Sequence, residues 1–136
     1  MLSQIPYKKA INILLIILSM VSIFHLLVLT EVIPYNIVWA GKINSVSEMR
    51  VFEFFSLAIK AVIILVIAIK ANYLKWNVPV KIVNGFIWFM FFLFSLNTIG
   101  NLFATTNFEK FVFTPITFIL AVLCLRIVRE KEVDSN

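Results

Sequence analysis

The chain has 136 residues, of which 62% are hydrophobic and 14% charged, with 14 Phe and a mean hydropathy of +1.01. Soluble domains average about 45–50% apolar and about 25% charged residues, so this composition excludes a water-soluble globule and makes lipid the natural solvent. The net charge of +5 does not signal nucleic acid: the basic residues flank apolar runs instead of forming a patch interleaved with aromatics, an arrangement that suits anionic lipid head groups.

The first apolar run is about Ala10–Ile33, "AINILLIILSMVSIFHLLVLTEVI". Lys8 and Lys9 precede it as in a signal peptide, but its apolar core exceeds the 7–15 residues of a signal h-region and "TEVIPYN" is a poor cleavage site. A retained span is expected. On a helix, Asn12, Ser19, Ser22 and His25 fall on one broad face. The segment 34–50 follows as the longest loop. Tyr35 and Trp39 suit the membrane interface, and Ser45 with Glu48 fits a capping box, placing the start of the second helix near Val46.

The second run, Val51–Ala71, reads "VFEFFSLAIKAVIILVIAIKA" and holds two charges. About thirteen Ile, Leu, Val and Phe residues contribute roughly −4 to −8 kcal/mol to insertion, and a central Lys costs about +2.5 to +3.5. Insertion therefore remains favourable. Lys60 sits about 15 Å from either end, beyond the reach of snorkelling. Glu53 lies seven residues earlier, within about 20° of the same face and about 10 Å along the axis, with Ser56 between them. The two charges align without touching, so a third group or water is expected between them.

The third run is about Ile82–Ala104, on which Asn97, Thr98, Asn101 and Thr105 share an arc of about 100°. The fourth is about Phe111–Val128, with Thr106 and Glu109 as a second capping box ahead of it. Thr114, Thr117, Ala121 and Cys124 form a stripe of small residues that permits close helix approach. Pro115 either frees the carbonyl of Phe111 or opens the helix with Thr114 as cap. The tail, residues 129–136, is expected to be frayed and solvated.

Four spans put the N-terminus, the second loop and the tail on one side of the membrane. That side holds Lys8, Lys9, Lys70, Lys75, Lys81, Arg126, Arg129 and Lys131, against Lys42, Arg50 and Lys110 on the other, so the positive-inside rule places both termini in the cytoplasm. His25, Glu31, Glu53, Asn97, Thr98, Asn101, Thr114 and Thr117 then fall in or near the outer half, with Lys60 at its floor. The inner half is nearly pure aliphatic and aromatic. Polar groups in lipid turn inward, which implies a polar pocket near the outer end above an apolar plug. The single Cys124 excludes an intrachain disulfide and a CxxC pair, and the single His25 excludes His-pair metal motifs. No cofactor or metal is expected.

The stretches "IPYNIVWAGKINSVSEMRVFEFFS" and "LNTIGNLFATTNFEKFVFTPITF" resemble segments of small uncharacterised four-span bacterial integral membrane proteins. The resemblance implies a topology and no activity. The pattern differs from small multidrug transporters, which rely on a Glu within the first span.

The expectation is an all-α, four-transmembrane-helix bundle in the plasma (inner) membrane, acting as a binding or accessory protein. Glu53 would be the main acidic group, Lys60 its buried counter-charge, His25, Asn97 and Asn101 neutral hydrogen-bonders, and Glu31 and Glu109 the rim. The expected partners are the bilayer and a second copy or larger membrane complex, and not nucleic acid. The rival readings are a small transporter or ion or proton channel, a lipid-active enzyme using His25 and Glu53 as acid and base, and a purely structural subunit.

Overall fold

A computed structural model describes residues 1–130; Lys131 and the rest of the expected solvated tail lie outside the described residues. Four helices carry the fold: α1 (Tyr7–Leu29), α2 (Val46–Lys70), α3 (Val80–Leu102) and α4 (Thr114–Val128), the last entered through a π turn, Glu109–Phe113. Counted from Glu109, the fourth joins the other three in being long and apolar enough to cross a membrane, and no strand occurs among the described residues.

Helix ends are set by local hydrogen bonding. Pro6 and Pro79 precede α1 and α3, where a missing N–H costs nothing. Ser45 Oγ accepts from Glu48 N at 3.2 Å, and Glu48 reaches back to Asn44 N at 3.0 Å, so α2 starts at Val46. The apolar run that begins in α1 continues to Ile33, but the helix stops at Leu29. Glu31 turns left-handed (φ 61), its N–H bonds Val28 O, and Val32 N bonds Leu27 O, which is a Schellman stop. Asn72 (φ 59) ends α2 in the same way. Pro115 has no N–H for Phe111 O, and the preceding turn widens so that Thr114 N reaches back to Glu109 O.

Neighbouring helices run antiparallel. His25 of α1 meets Glu53 near the start of α2, and Tyr7 at the opposite end of α1 donates to Lys70 O at the end of α2. Thr98 and Asn101 late in α3 meet Thr117 early in α4. The helices form a ring in which α3 and α4 pack most closely and α2 and α3 most loosely. One end of the ring carries the 30–45 segment and the α3–α4 connection (the loop end). The other carries the N-terminus and the α2–α3 connection.

Two apolar clusters fill the interior. The larger lies toward the terminal end and includes Leu14, Leu18, Ile63, Ile67, Ile87 and Met90, with Ala121 and Cys124 of the small-residue stripe. The smaller lies at the loop end and joins Val28, Val38, Ile43, Met49 and Phe113. The outer surface is apolar too: Phe54, Phe55, Phe89, Phe92, Leu96 and Phe118 are all exposed. A helix bundle apolar both inside and outside is suited to lipid.

Candidate functional site

The first polar group inside the bundle is Glu53, whose accessible surface is zero. A carboxylate cannot be taken from water alone, because its desolvation costs several kcal/mol unless donors meet it. Two do. His25 Nδ1 lies 2.7 Å from Oε2, and Trp39 Nε1 donates to Oε1 at 2.8 Å. His25 is wedged between Phe24, Trp39 and Phe113 rings. The carboxylate holds the imidazole proton on Nδ1, and Nε2 has no partner among the described residues.

Trp39 reaches Glu53 from the loop, not from a helix. The segment Trp39-Ala40-Gly41 is left-handed throughout (φ 56, 55 and 68), which turns the chain back over the loop end of the bundle. Only the third position is glycine, and a Cβ there would lie 3.1 Å from Thr105 Oγ1. Glu109 clamps this turn: Oε1 accepts from Ala40 N at 2.9 Å and Oε2 from Thr106 Oγ1 at 2.5 Å. Thr105 Oγ1 donates to Ala40 O at 2.5 Å, and Thr106 Oγ1 lies 3.3 Å from Ile37 O. The loop is therefore a cap held by two buried carboxylates, Glu53 and Glu109.

Lys60 is half-buried and turns back one helical turn to Ser56, contacting Ser56 Oγ and lying 3.4 Å from Ser56 O. It forms no ion pair with Glu53. Two helical turns separate them, and His25 and Trp39 occupy both oxygens of Glu53.

Beneath the cap lies a cavity of about 200 Å³. His25 enters it from α1, Ser56 and Lys60 from α2, and Asn97 and Asn101 from α3. Thr117 of α4 closes the polar wall: Asn101 Nδ2 donates to Thr117 Oγ1 at 3.4 Å, and Thr98 Oγ1 lies 3.0 Å from it. Val38 and Trp39 form part of the lining at the loop end, and Leu18, Phe94 and Leu120 part of the rest. Asn97 is the one exposed residue in this lining.

The expected site residues therefore separate. His25, Lys60, Asn97 and Asn101 share one cavity, with Glu53 directly behind His25. Glu109 reaches the lining, but it is buried and holds the loop instead of standing at a rim. Glu31 is not part of the cavity; the left-handed turn sends it to the surface, where it pairs with Arg50 at 3.2 Å. Trp39, expected as an interface anchor, donates to Glu53, a contact not foreseen from the sequence. Among the described residues no three His, Cys, Asp or Glu side chains gather as metal ligands would.

The arrangement presents an ammonium, two carboxamides, an imidazole nitrogen and the edge of the hydrogen-bonded Glu109 carboxylate to one small volume. Comparison with known protein families, curated proteins and solved structures finds no match to this chain.

Proposed function

We propose that this chain is a multi-pass plasma-membrane protein with four spans and cytoplasmic termini, which binds a small polar group in the cavity beneath its outer cap. The eight-to-three division of basic residues supports the orientation. The single observation that carries the binding reading is the convergence of His25, Lys60, Asn97 and Asn101, from three helices, on one cavity above an apolar layer. Polar groups in a span are expensive. Four of them sharing a space large enough for a ligand suit binding better than helix register alone.

Orientation is tested by labelling with a membrane-impermeant maleimide. Cys124 is fully buried and gives a silent background. Asn44→Cys labels in intact cells, and Lys75→Cys labels only after permeabilisation; the reverse pattern refutes the orientation. Binding is tested by the emission of Trp39 as a single reporter, in a Trp76→Phe/Trp88→Phe protein titrated with acetate, inorganic phosphate and short amphiphiles. A saturable change abolished by Asn101→Leu supports the reading, and no change with any probe refutes it.

A specific observation favours a second reading, a lipid-active enzyme. The 2.7 Å contact of His25 and Glu53 fixes the imidazole with Nε2 available, the geometry of a general base. Turnover of lipid in proteoliposomes, lost in His25→Ala, would establish it.

A further inference from the structure

The cavity admits a narrower statement about its occupant, which rests on the binding reading above. Unfilled hydrogen bonding is the first clue. Each buried carboxylate already has its donors: Glu53 has His25 and Trp39, and Glu109 has Ala40 N–H and Thr106 O–H. The ammonium of Lys60 has no carboxylate in contact with it among the described residues. It has three donors, and the oxygens it meets both belong to Ser56. The carboxamides of Asn97 and Asn101 stand across the same space, and Asn97 makes no hydrogen bond among the described residues. An occupant with two or three acceptor oxygens and a negative charge completes this set.

Size is the second clue. About 200 Å³ is the room of roughly six or seven waters and falls below the ~300–1,000 Å³ of pockets that enclose whole drug-sized ligands. A carboxylate or phosphate group fits; an acyl chain does not.

The third clue is where the cavity opens. The cap of Val38 and Trp39 stands at the loop end, and the apolar layer closes the terminal end. The exposed lining residue is Asn97 on α3, and half-exposed Ser56 and Lys60 stand on α2. These are the two neighbouring helices that pack most loosely. The opening therefore runs sideways, between helices whose outer faces carry Phe55, Ile59, Phe92 and Leu96.

From these we infer that the cavity takes the carboxylate or phosphate head of a single-chain anionic amphiphile, seated on Lys60, while its tail leaves between α2 and α3 into the bilayer. A lipid and a free anion share the head-group chemistry; the side opening favours the lipid.

The test uses the full chain in phosphatidylcholine nanodiscs, with Trp39 as single reporter. Oleate and lysophosphatidic acid are compared with uncharged monoolein, acetate and inorganic phosphate. The expected result is a saturable change with the anionic amphiphiles alone. It weakens about tenfold or more in Lys60→Met, as loss of a charge-assisted bond implies, survives in Lys60→Arg, and is blocked by Asn97→Phe. Equal occupancy by monoolein, or an unchanged Lys60→Met, overturns the anionic assignment and leaves the cavity a binding site. Saturation by acetate or phosphate that Asn97→Phe does not affect overturns the amphiphile and its side access. Silence with every probe overturns this inference together with the binding reading.

Discussion

The cap loop can be opened by removing charge without removing atoms. Trp39 and Ala40 each sit in the left-handed region, at about 1–2 kcal/mol apiece for a residue with a Cβ. Three hydrogen bonds oppose that cost. The two accepted by Glu53 and Glu109 are worth about 1.5–3 kcal/mol each, and the one made by Thr105 about 0.5–1.5. Midway through these ranges the loop is closed by about 2.5 kcal/mol. Glu→Gln keeps an acceptor oxygen and most of the shape but lowers each bond to the neutral range, a loss of about 1–1.5 kcal/mol. Either single variant stays closed. Glu53→Gln/Glu109→Gln loses about 2–3 kcal/mol, which is comparable with the whole margin. The assay is hydrogen exchange at the Gly41 and Lys42 amides, which bond Val38 O and Trp39 O within the turn. Each 1.4 kcal/mol is a factor of about ten, so each single variant should exchange about tenfold faster and the double about a hundredfold faster. Wild-type exchange in the double variant would refute the idea that the carboxylates hold the loop.

Three further outcomes follow from the same contacts. Lys60→Met should fold with its melting temperature in detergent within a few degrees of wild type, because an apolar side chain of similar volume replaces an unmatched charge; a large loss would mean Lys60 is a structural keystone. Thr117→Val removes the shared acceptor of Thr98 and Asn101 and should cost about 1–2 kcal/mol in thermal or steric-trap unfolding, as interhelical hydrogen bonds in membranes do. Glu31→Gly should stabilise by about 1 kcal/mol in the same assay, since relief of the left-handed strain exceeds an exposed Arg50 pair worth about 0–1; destabilisation would show that the ion pair dominates.

Hydropathy made the four helices legible, because about twenty apolar residues in a row admit little besides a span. Periodicity also brought His25, Lys60, Asn97 and Asn101 to one interior. What it could not show was partnership. Trp39 donates to Glu53 only because the chain is left-handed at Trp39 and Ala40, and neither is a glycine that would have marked the turn. Glu31 lies within the first apolar run, which continues to Ile33, so the hydropathy does not signal that the helix stops two residues before it. Glu109 read as a rim residue because it precedes the fourth run; the π turn ahead of Pro115 and the cap above it instead make it a buried anchor. Each miss belongs to backbone conformation, where a one-residue change of φ redirects a side chain without altering the hydrophobic pattern.

The same geometry weighs against a transporter or channel. A conducting or alternating path must connect the cavity to the terminal end. Below Leu18 the interior of α1 is Leu14, Ile11 and Ala10, faced by Ile63 and Ile67 on α2, Ile87 and Met90 on α3, and Leu120, Ala121 and Cys124 on α4. Leu18 to Ala10 is about 12 Å along a helix. Over that depth no charged side chain lines the core among the described residues. A charged or hydrated ligand crossing it would face desolvation of several kcal/mol with no charged side chain to compensate it. Opening the layer would mean unpacking side chains contributed by all four helices. The weakest neighbour contact is between α2 and α3, whose outer faces are apolar. On the proposed membrane reading, a cavity closed by packing on the terminal side, capped by a loop on the other and open sideways would exchange its contents with the bilayer, not across it. Proteoliposomes bearing the wild-type chain should therefore hold a proton gradient as tightly as empty ones. A leak or coupled uptake abolished by Glu53→Gln would require a second conformation in which that apolar layer parts.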